Sequence, residues 1–141
     1  MIKVVLDTNI YISGILFAGK PREVLDLAIK GKIHVFISPD ILSELRDVLS
    51  IKKFGFSPER VDIIIREIES ITTMVNPAKK YSIVSHDSDD NIIIDCAMES
   101  RVEYIITGDN DLLCLNKYKS INIINPALFI EEYFDRRLTS E

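Results

Sequence analysis

The stretch VVLDTNIYISG, residues 4–14, runs from an apolar segment into three polar residues and then returns to an apolar pattern. Residues 2–6 are rich in β-branched side chains and apolar on both faces, which is typical of a strand that helices cover on each side. Asp7, Thr8 and Asn9 follow where this strand ends. The stretch therefore predicts a carboxylate at the end of a buried strand, where burial of a charge requires a physical reason.

The rest of the chain alternates short apolar runs with amphipathic segments. Further strands are predicted at 32–37, 72–75, 104–107 and 122–124. Helices are predicted at 10–17, 21–30, 39–49, 58–71, 91–100 and 126–134, and a proline stands at the start of four of them. Because right-handed crossovers place helices on both faces of a parallel sheet, we expect a three-layer α/β/α fold with a central five-stranded parallel sheet. In such sheets ligands bind at the carboxyl ends of the strands.

Length and composition indicate one domain, residues 1–141, in which 47% of the residues are hydrophobic. A net charge of −5 excludes a generally basic surface for nucleic acid or membranes, so any polyanion must bind locally. No apolar run approaches the roughly 18 residues of a membrane span and no signal-peptide pattern is present, so we expect a cytoplasmic protein. Cys96 and Cys114 lack metal-ligand or disulfide spacing and are predicted to be buried thiols.

Acidic residues follow two of the predicted strands. Asp7 comes directly after the first strand, and Asp109 follows the strand at 104–107 by one glycine, so both are expected at the same edge of a parallel sheet. Asp90 stands at the start of the helix that leads into that strand. Glu44 flanks the apolar stripe of the third predicted helix and can reach the same edge. We therefore expect these four carboxylates to converge.

Each acid also has an ordinary structural explanation. Asp7 and Asp109 could serve in turns or helix caps, and Glu44 could be a solvated helix charge. Asp90 could be stabilised by the helix dipole alone. Only their joint placement at one edge favours a shared site.

A pocket of four carboxylates needs positive charge. Like charges about 4 Å apart repel by about 4 kcal/mol at an effective dielectric constant of 20. The segment 87–111 contains eight acids and a single base, Arg101. A hard divalent cation would supply the missing charge, and oxygen ligands without His or Cys favour Mg²⁺ or Mn²⁺ over zinc.

Four stretches, VVLDTNIYISG, SPDILSEL, DSDDNIIIDCA and YIITGDNDLL, occur in the order and approximate spacing found in PIN-domain proteins. The chain resembles that family over nearly its whole length, and in particular the VapC-like branch of toxin components from toxin–antitoxin systems. The resemblance implies a metal-dependent endoribonuclease with an acidic quartet at the carboxyl edge of a parallel sheet.

By this resemblance, the catalytic residues and metal ligands are Asp7, Glu44, Asp90 and Asp109. Thr8 and Asn9 match a polar pair that supports the first acid by hydrogen bonding. The expected cofactor is Mg²⁺ or Mn²⁺.

Other polar residues near these motifs are open to more than one interpretation. Thr107, like Thr8, could bind water or phosphate, or could only shape a turn. Asp111 could be a supporting acid or an alternative ligand, and Asp89 lies one residue from the register that favours Asp90. Asp95 and Glu99, four residues apart on one helix, are predicted to be solvated.

The expected chemistry is in-line hydrolysis of RNA phosphodiester bonds with one or two Mg²⁺ ions. Basic pairs could track the RNA backbone beside the site, namely Lys52–Lys53, Lys79–Lys80, Lys117 with Lys119, and Arg136–Arg137. No aromatic pattern indicates a base-stacking platform. The resemblance also implies a cognate antitoxin that covers or enters the acidic cleft, and a homodimer.

Two other classes of protein compete with this interpretation. A catalytically idle PIN fold could bind RNA or another protein, although the presence of all four acids disfavours it. A receiver-like phosphoacceptor would need paired acids after the first strand and a lysine after the last. Here Thr8 follows Asp7, and Asn125 follows the last strand, so the receiver class is disfavoured.

Overall fold

The computed structural model describes residues 1–78 and 88–140, and the side chains of all of these except residues 88, 89 and 138–140. The strands are β1 Ile2–Leu6, β2 Ile33–Ile37, β3 Thr72–Met74, β4 Tyr104–Ile106, β5 Lys117–Tyr118 and β6 Ile121–Ile124. The helices are α1 Thr8–Leu16, α2 Lys20–Ile29, α3 Pro39–Leu49, α4 Pro58–Ile71, α5 Ser88–Ser100, α6 Asn110–Leu113 and α7 Pro126–Ser140, with a 3₁₀ turn at Lys52–Phe54.

The strands form one sheet in the order β3-β2-β1-β4-β6-β5. The first five strands in that order are parallel, with Val4 of β1 opposite Val35 of β2 and Tyr104 of β4. The predicted five parallel strands are therefore confirmed. The sheet also has a sixth strand, the two-residue β5, which pairs antiparallel with β6. A strand of two residues has no alternation of apolar and polar positions, so the sequence pattern does not predict it.

Helices cover both faces of the sheet, as the three-layer prediction requires. Between β1 and β3 the chain steps twice in one direction through α1 to α4, and α5 then brings it back across the sheet to β4. Crossovers between parallel strands are right-handed in nearly all proteins, and with that hand these two opposite steps place α5 on the face opposite α1 to α4. α5 packs across β1, β2 and β4, so it covers the middle of its face.

The two serine–proline pairs start helices as predicted. The Ile41 N–H donates a hydrogen bond to Ser38 Oγ at 3.3 Å, and the Arg60 N–H donates to Ser57 Oγ at 3.1 Å. These N-caps satisfy backbone donors that would otherwise lack a partner, and α3 and α4 have the bounds that were predicted.

Three other helix bounds differ from the prediction by more than one residue. α1 begins at Thr8 rather than at residue 10, because Asp7 takes the N-cap position. α5 begins at Ser88 rather than Asn91, and α7 continues to Ser140. In the added part of α7, the Arg137 side chain donates a hydrogen bond to the Tyr133 hydroxyl, one turn earlier, at 3.3 Å.

Two predictions of burial are wrong. Cys96 is buried as expected, but Cys114 is exposed, because it ends the single-turn helix α6 at the surface. Asp95 is not solvated: its exposed fraction is 7%, because the central position of α5 covers both flanks of that helix. Glu99 on the same helix is half-buried and accepts a hydrogen bond from the Ala78 N–H at 2.8 Å.

No helix in the part of the chain that the structure describes combines the length and the apolar character needed to cross a membrane.

Candidate metal centre at the carboxyl edge of the sheet

The strand order reverses between β1 and β4, since the chain leaves β1 towards β2 on one side while β4 lies on the other. Asp7 follows β1 and Thr107 follows β4, so the two residues meet at this switch point. The Asp7 N–H continues the ladder by donating to the Ile106 carbonyl at 3.0 Å. Switch points at carboxyl ends form crevices in which α/β proteins bind ligands.

Asp7 is a buried carboxylate, with an exposed fraction of 7%. It occupies the N-cap position of α1, yet its side chain makes no capping hydrogen bond with that helix. Burial raises the pKa of the Asp7 carboxyl, and the negative charge of Asp109 raises it further. The Thr107 hydroxyl and the nearby N–H groups of Thr8 and Asn9 oppose this rise of the pKa. The fold therefore keeps an acid where ionisation is costly.

A short run of hydrogen bonds joins Asp7 to the turn that follows β4. The Thr107 hydroxyl donates to Asp7 Oδ2 at 2.6 Å, and the Asp109 N–H donates to Thr107 Oγ1 at 3.0 Å. Asp109 is the N-cap of α6, and its Oδ1 accepts from the Asp111 N–H at 2.9 Å. The turn and the end of β1 are thus held in one arrangement.

Three acids come together at this edge. Asp90 in the first turn of α5, Asp109 after β4 and Asp111 in α6 can each place a carboxylate oxygen within 4.8 Å of the other two. Oxygen ligands lie about 2.0–2.1 Å from Mg²⁺, so ligands on opposite sides of one ion are about 4.2 Å apart. Three carboxylates at this separation, without His or Cys, fit Mg²⁺ or Mn²⁺ after small side-chain adjustments.

Two of the predicted acids lie outside this group of three. Asp7 lies next to this group: it accepts a hydrogen bond from Thr107, and the negative charge of Asp109 acts on its carboxyl. Glu44 projects from α3 with its Oε2 inaccessible to solvent, and α3 contacts both α1 and α5. The structure does not place Glu44 among the mutually close acids, whereas it does place Asp111 there.

The predicted supporting residues differ in where their side chains lie. Thr8 is buried, and within residues 1–78 and 88–140 its hydroxyl has no hydrogen-bond partner. Asn9 is exposed. The side-chain hydrogen bond recorded for Asp7 comes from Thr107, whose exposed fraction is 0%.

Most of the predicted basic pairs lie away from the acids. Arg136 and Arg137 line a cavity with Met1 and Lys32 at the amino edge, and β5 places Lys117 opposite Asn122 at the amino end of β6. They were expected beside the site because sequence spacing does not show which sheet edge a helix end reaches. Lys52–Lys53 follow the far end of α3, and Lys79–Lys80 lie outside the described residues.

Sequence reasoning left the role of Asp111 open, and the structure brings it into the acidic group. The sequence feature that could have indicated it is the Asp-Asn-Asp spacing after β4. Asp109 caps α6 by accepting from the Asp111 N–H, and this turn brings Asp111 to the same edge of the sheet. The hydrogen-bond partner of Thr107 could not be predicted from the sequence, because only the pairing of β1 with β4 shows that Asp7 is its neighbour.

A parallel α/β sheet with carboxylates gathered at its switch point is an arrangement that can bind a divalent cation. The comparisons assign the class: the PIN domain matches residues 3–111, and the chain belongs to the PIN-domain family. That membership confirms the resemblance stated from the sequence motifs, and it indicates a nuclease.

One relative and several solved structures are similar to this chain. The uncharacterized protein MJ1680 of Methanocaldococcus jannaschii is 40% identical over 144 residues, covering 94% of this chain and 92% of that protein. VapBC2 from Rickettsia felis, bound to a promoter DNA fragment, contains a chain with TM-score 0.63 and 15% identity, covering 88% of this chain and 98% of that one.

DNA-bound VapBC from Salmonella typhimurium gives TM-score 0.62 and 19% identity, with coverage of 89% and 99%. FitAcB from Neisseria gonorrhoeae gives TM-score 0.57 and 15% identity, with coverage of 87% and 97%. At these identities the structures show a shared fold.

Proposed function

We propose that this protein is a divalent-metal-dependent endoribonuclease that hydrolyses RNA phosphodiester bonds. The observation that supports the proposal most is the convergence of Asp90, Asp109 and Asp111 beside the buried Asp7. Within the described residues, neither Asp7 nor Asp109 nor Asp111 forms an ion pair with Lys or Arg. Carboxylates in that arrangement repel one another unless a cation binds between them.

The chain would use its acids chiefly to hold and orient. Asp90, Asp109 and Asp111 would bind the cation, with Asp7 and Glu44 completing the ligand set from β1 and α3. The chemistry that a bound Mg²⁺ or Mn²⁺ would supply there is polarisation of a phosphate and activation of a water molecule. The same carboxylates would repel RNA when no cation is present, so substrate binding and metal binding should depend on each other.

A nuclease assay tests this proposal. Purified protein is mixed with end-labelled RNA, or with DNA of the same sequence, in Mg²⁺, in Mn²⁺ or in EDTA. We expect internal cleavage of RNA with either cation and none in EDTA, and we expect Asp90→Asn to be inactive.

Cleavage in EDTA, or full activity of Asp90→Asn, would contradict the mechanism. Metal-dependent cleavage of DNA alone would contradict the RNA substrate. RNA binding without cleavage under all three conditions would favour the alternative, a catalytically idle PIN fold that acts as a binding module.

We also propose that the protein is the toxin of a toxin–antitoxin pair and binds a protein antitoxin. The VapBC and FitAcB structures, which share the fold, support this assignment. An apolar groove of about 660 Å³ between α1, α2 and α4 offers a docking surface for part of the antitoxin. None of the predicted site acids lines it, so it would hold a different part of the antitoxin from any segment that covers or enters the acidic cleft. The residues that line it include Ile29, whose exposed fraction is 63%, and the charged residues Arg60 and Glu67. An apolar floor with charged neighbours suits an amphipathic helix.

A pair of matched variants tests the groove. Ile29→Glu places a charge in it, whereas Ile63→Glu changes an isoleucine of 44% exposure that does not line it. The probe is the product of the neighbouring reading frame, co-expressed with each variant. We expect Ile29→Glu to lose co-purification and Ile63→Glu to keep it. Equal binding by both variants would remove the groove from the proposal.

The expected homodimer rests on the family resemblance and stays a proposal. Light scattering on the purified protein measures its mass directly. A mass of twice 16.1 kDa is expected, and a mass of one chain would contradict the dimer.

A further inference from the structure

The Thr107 hydroxyl has a fixed direction. A backbone N–H can only donate, so the bond from the Asp109 N–H makes Thr107 Oγ1 an acceptor. The single hydroxyl proton is then directed to Asp7 Oδ2, 2.6 Å away. Because Thr107 is fully buried, its hydroxyl cannot turn towards solvent or a substrate phosphate. Both hydrogen bonds therefore serve the two acids.

Hydrogen bonds hold the carboxylates of the acids on either side of Thr107. Asp7 is held at Oδ2 by Thr107, and Asp109 is held at Oδ1 by the Asp111 N–H. The backbone of Asp109 is fixed in turn by its own N–H on Thr107. Thr107 thus holds the side chain of Asp7 and the backbone of Asp109 at once.

We propose that Thr107 is a positioning residue that fixes Asp7 and Asp109 relative to each other, so that their carboxylates are already in place for the divalent cation. The inference rests on the proposed metal site and adds the residue that sets its geometry. Thr107 itself touches neither cation nor substrate. Its hydroxyl ties the end of β1 to the turn after β4, which are the two segments that a cation would have to bridge.

Chemistry at this position can be separated from packing. Val has nearly the shape of Thr but lacks the hydroxyl, so Thr107→Val leaves the Asp109 N–H without its acceptor and Asp7 without its side-chain donor. Thr107→Ser keeps the hydroxyl and removes only the methyl group. Thr72→Val is a matched control, since the Thr72 hydroxyl donates to the Ile68 carbonyl at the edge strand β3, away from the acids.

The experiment measures Mn²⁺ affinity by electron paramagnetic resonance, and thermal unfolding in EDTA, for the wild type and these three variants. Loss of a group that orients a metal ligand costs about 10- to 100-fold in affinity. We expect that loss for Thr107→Val, and affinities close to the wild type for Thr107→Ser and Thr72→Val. If Thr107→Val does not fold, Thr107→Ala takes its place, since it also lacks the hydroxyl.

Unchanged Mn²⁺ affinity in folded Thr107→Val would overturn the inference and leave Thr107 a structural residue. Equal losses in Thr107→Ser and Thr107→Val would overturn it too, by showing that the methyl group carries the effect. A wild type that binds Mn²⁺ but cleaves no RNA would refute the proposed function while the affinities still test Thr107. A wild type that binds no Mn²⁺ would refute both.

Discussion

The two edges of the central sheet treat acidic side chains in opposite ways. At the amino edge, Glu103 precedes β4 and accepts a hydrogen bond from Arg136 at 2.9 Å, with both side chains about half exposed. At the carboxyl edge, Asp7 is buried next to the charge of Asp109. Neither of these aspartates forms an ion pair with Lys or Arg in the described part of the chain.

This difference separates charges that belong to the surface from charges that belong to a site. An exposed ion pair such as Glu103 with Arg136 contributes at most about 1 kcal/mol and can sit almost anywhere. A buried carboxylate near another acid lowers the stability of the metal-free protein, because its charged form loses solvation and is repelled. The carboxyl edge keeps such a group at the switch point, which is where a bound cation would stabilise it.

The largest expected effect compares acids from the two edges. Asp109→Asn should lower metal-dependent RNA cleavage by more than about 100-fold, since loss of an orienting partner alone costs about 10- to 100-fold. Asn is also a good N-cap, so α6 should persist and the change should isolate the charge. Glu103→Gln at the amino edge should leave cleavage unchanged. Similar losses in both variants would mean that the difference between the edges has no bearing on activity.

The second prediction concerns stability without metal. Asp7→Asn removes a charge whose burial raises its pKa, and the Asn side-chain oxygen can still accept from Thr107. Each unit by which a pKa is raised corresponds to about 1.4 kcal/mol against the ionised form. We expect urea unfolding in EDTA at neutral pH to give Asp7→Asn a free energy of unfolding higher by on the order of 1 kcal/mol. A lower free energy of unfolding for Asp7→Asn would show that the Asp7 charge stabilises the folded protein even without a cation.

The third prediction gives this difference a pH dependence. Since the pKa of Asp7 is raised above 3.8 in the folded state, the native protein holds a proton there that the unfolded chain has released. Wild-type stability in EDTA should therefore fall, relative to Asp7→Asn, as pH rises above about 4 through the raised pKa. Urea titrations between pH 4 and pH 7, on the order of one per pH unit, measure the difference in the free energy of unfolding between Asp7→Asn and the wild type. If this difference became smaller as the pH rises, the result would contradict a raised pKa of Asp7.

The smallest expected effect is at the amino edge. Arg136→Gln breaks the ion pair with Glu103 and should lower the free energy of unfolding by less than about 1 kcal/mol. High salt should reduce the difference further, because the pair is exposed and screened. Urea unfolding at low and high salt checks both statements. A loss of several kcal/mol would mean that this edge is as sensitive as the carboxyl edge.

Much of the fold could be predicted from local signals. Buried strands of consecutive apolar residues and serine–proline helix starts are short-range patterns, and they located α3 and α4 at their observed bounds. The position of Asp7 after β1 followed in the same way. Features that depend on tertiary contacts could not be predicted from local patterns. The strand β5 forms because it pairs with β6, and Asp95 is buried because α5 lies across the middle of the sheet.

The candidate site was predictable only in part, for a related reason. Sequence spacing can place Asp7 and Asp109 at one edge, because all parallel strands end on the same side. It cannot show how far Glu44 reaches from α3, nor that α6 turns Asp111 towards Asp90. Those relations depend on helix orientation, which no local pattern encodes.

The central claim is that a divalent cation makes the crowded acids at the carboxyl edge tolerable, and thermal unfolding with and without that cation tests it most directly. A ligand at 100 times its Kd stabilises the folded state by about 2.7 kcal/mol. We predict that Mg²⁺ or Mn²⁺ raises the melting temperature of the wild type above its value in EDTA and leaves that of Asp109→Asn nearly unchanged. An identical melting temperature of the wild type in both conditions, or an equal rise in the variant, would contradict the claim.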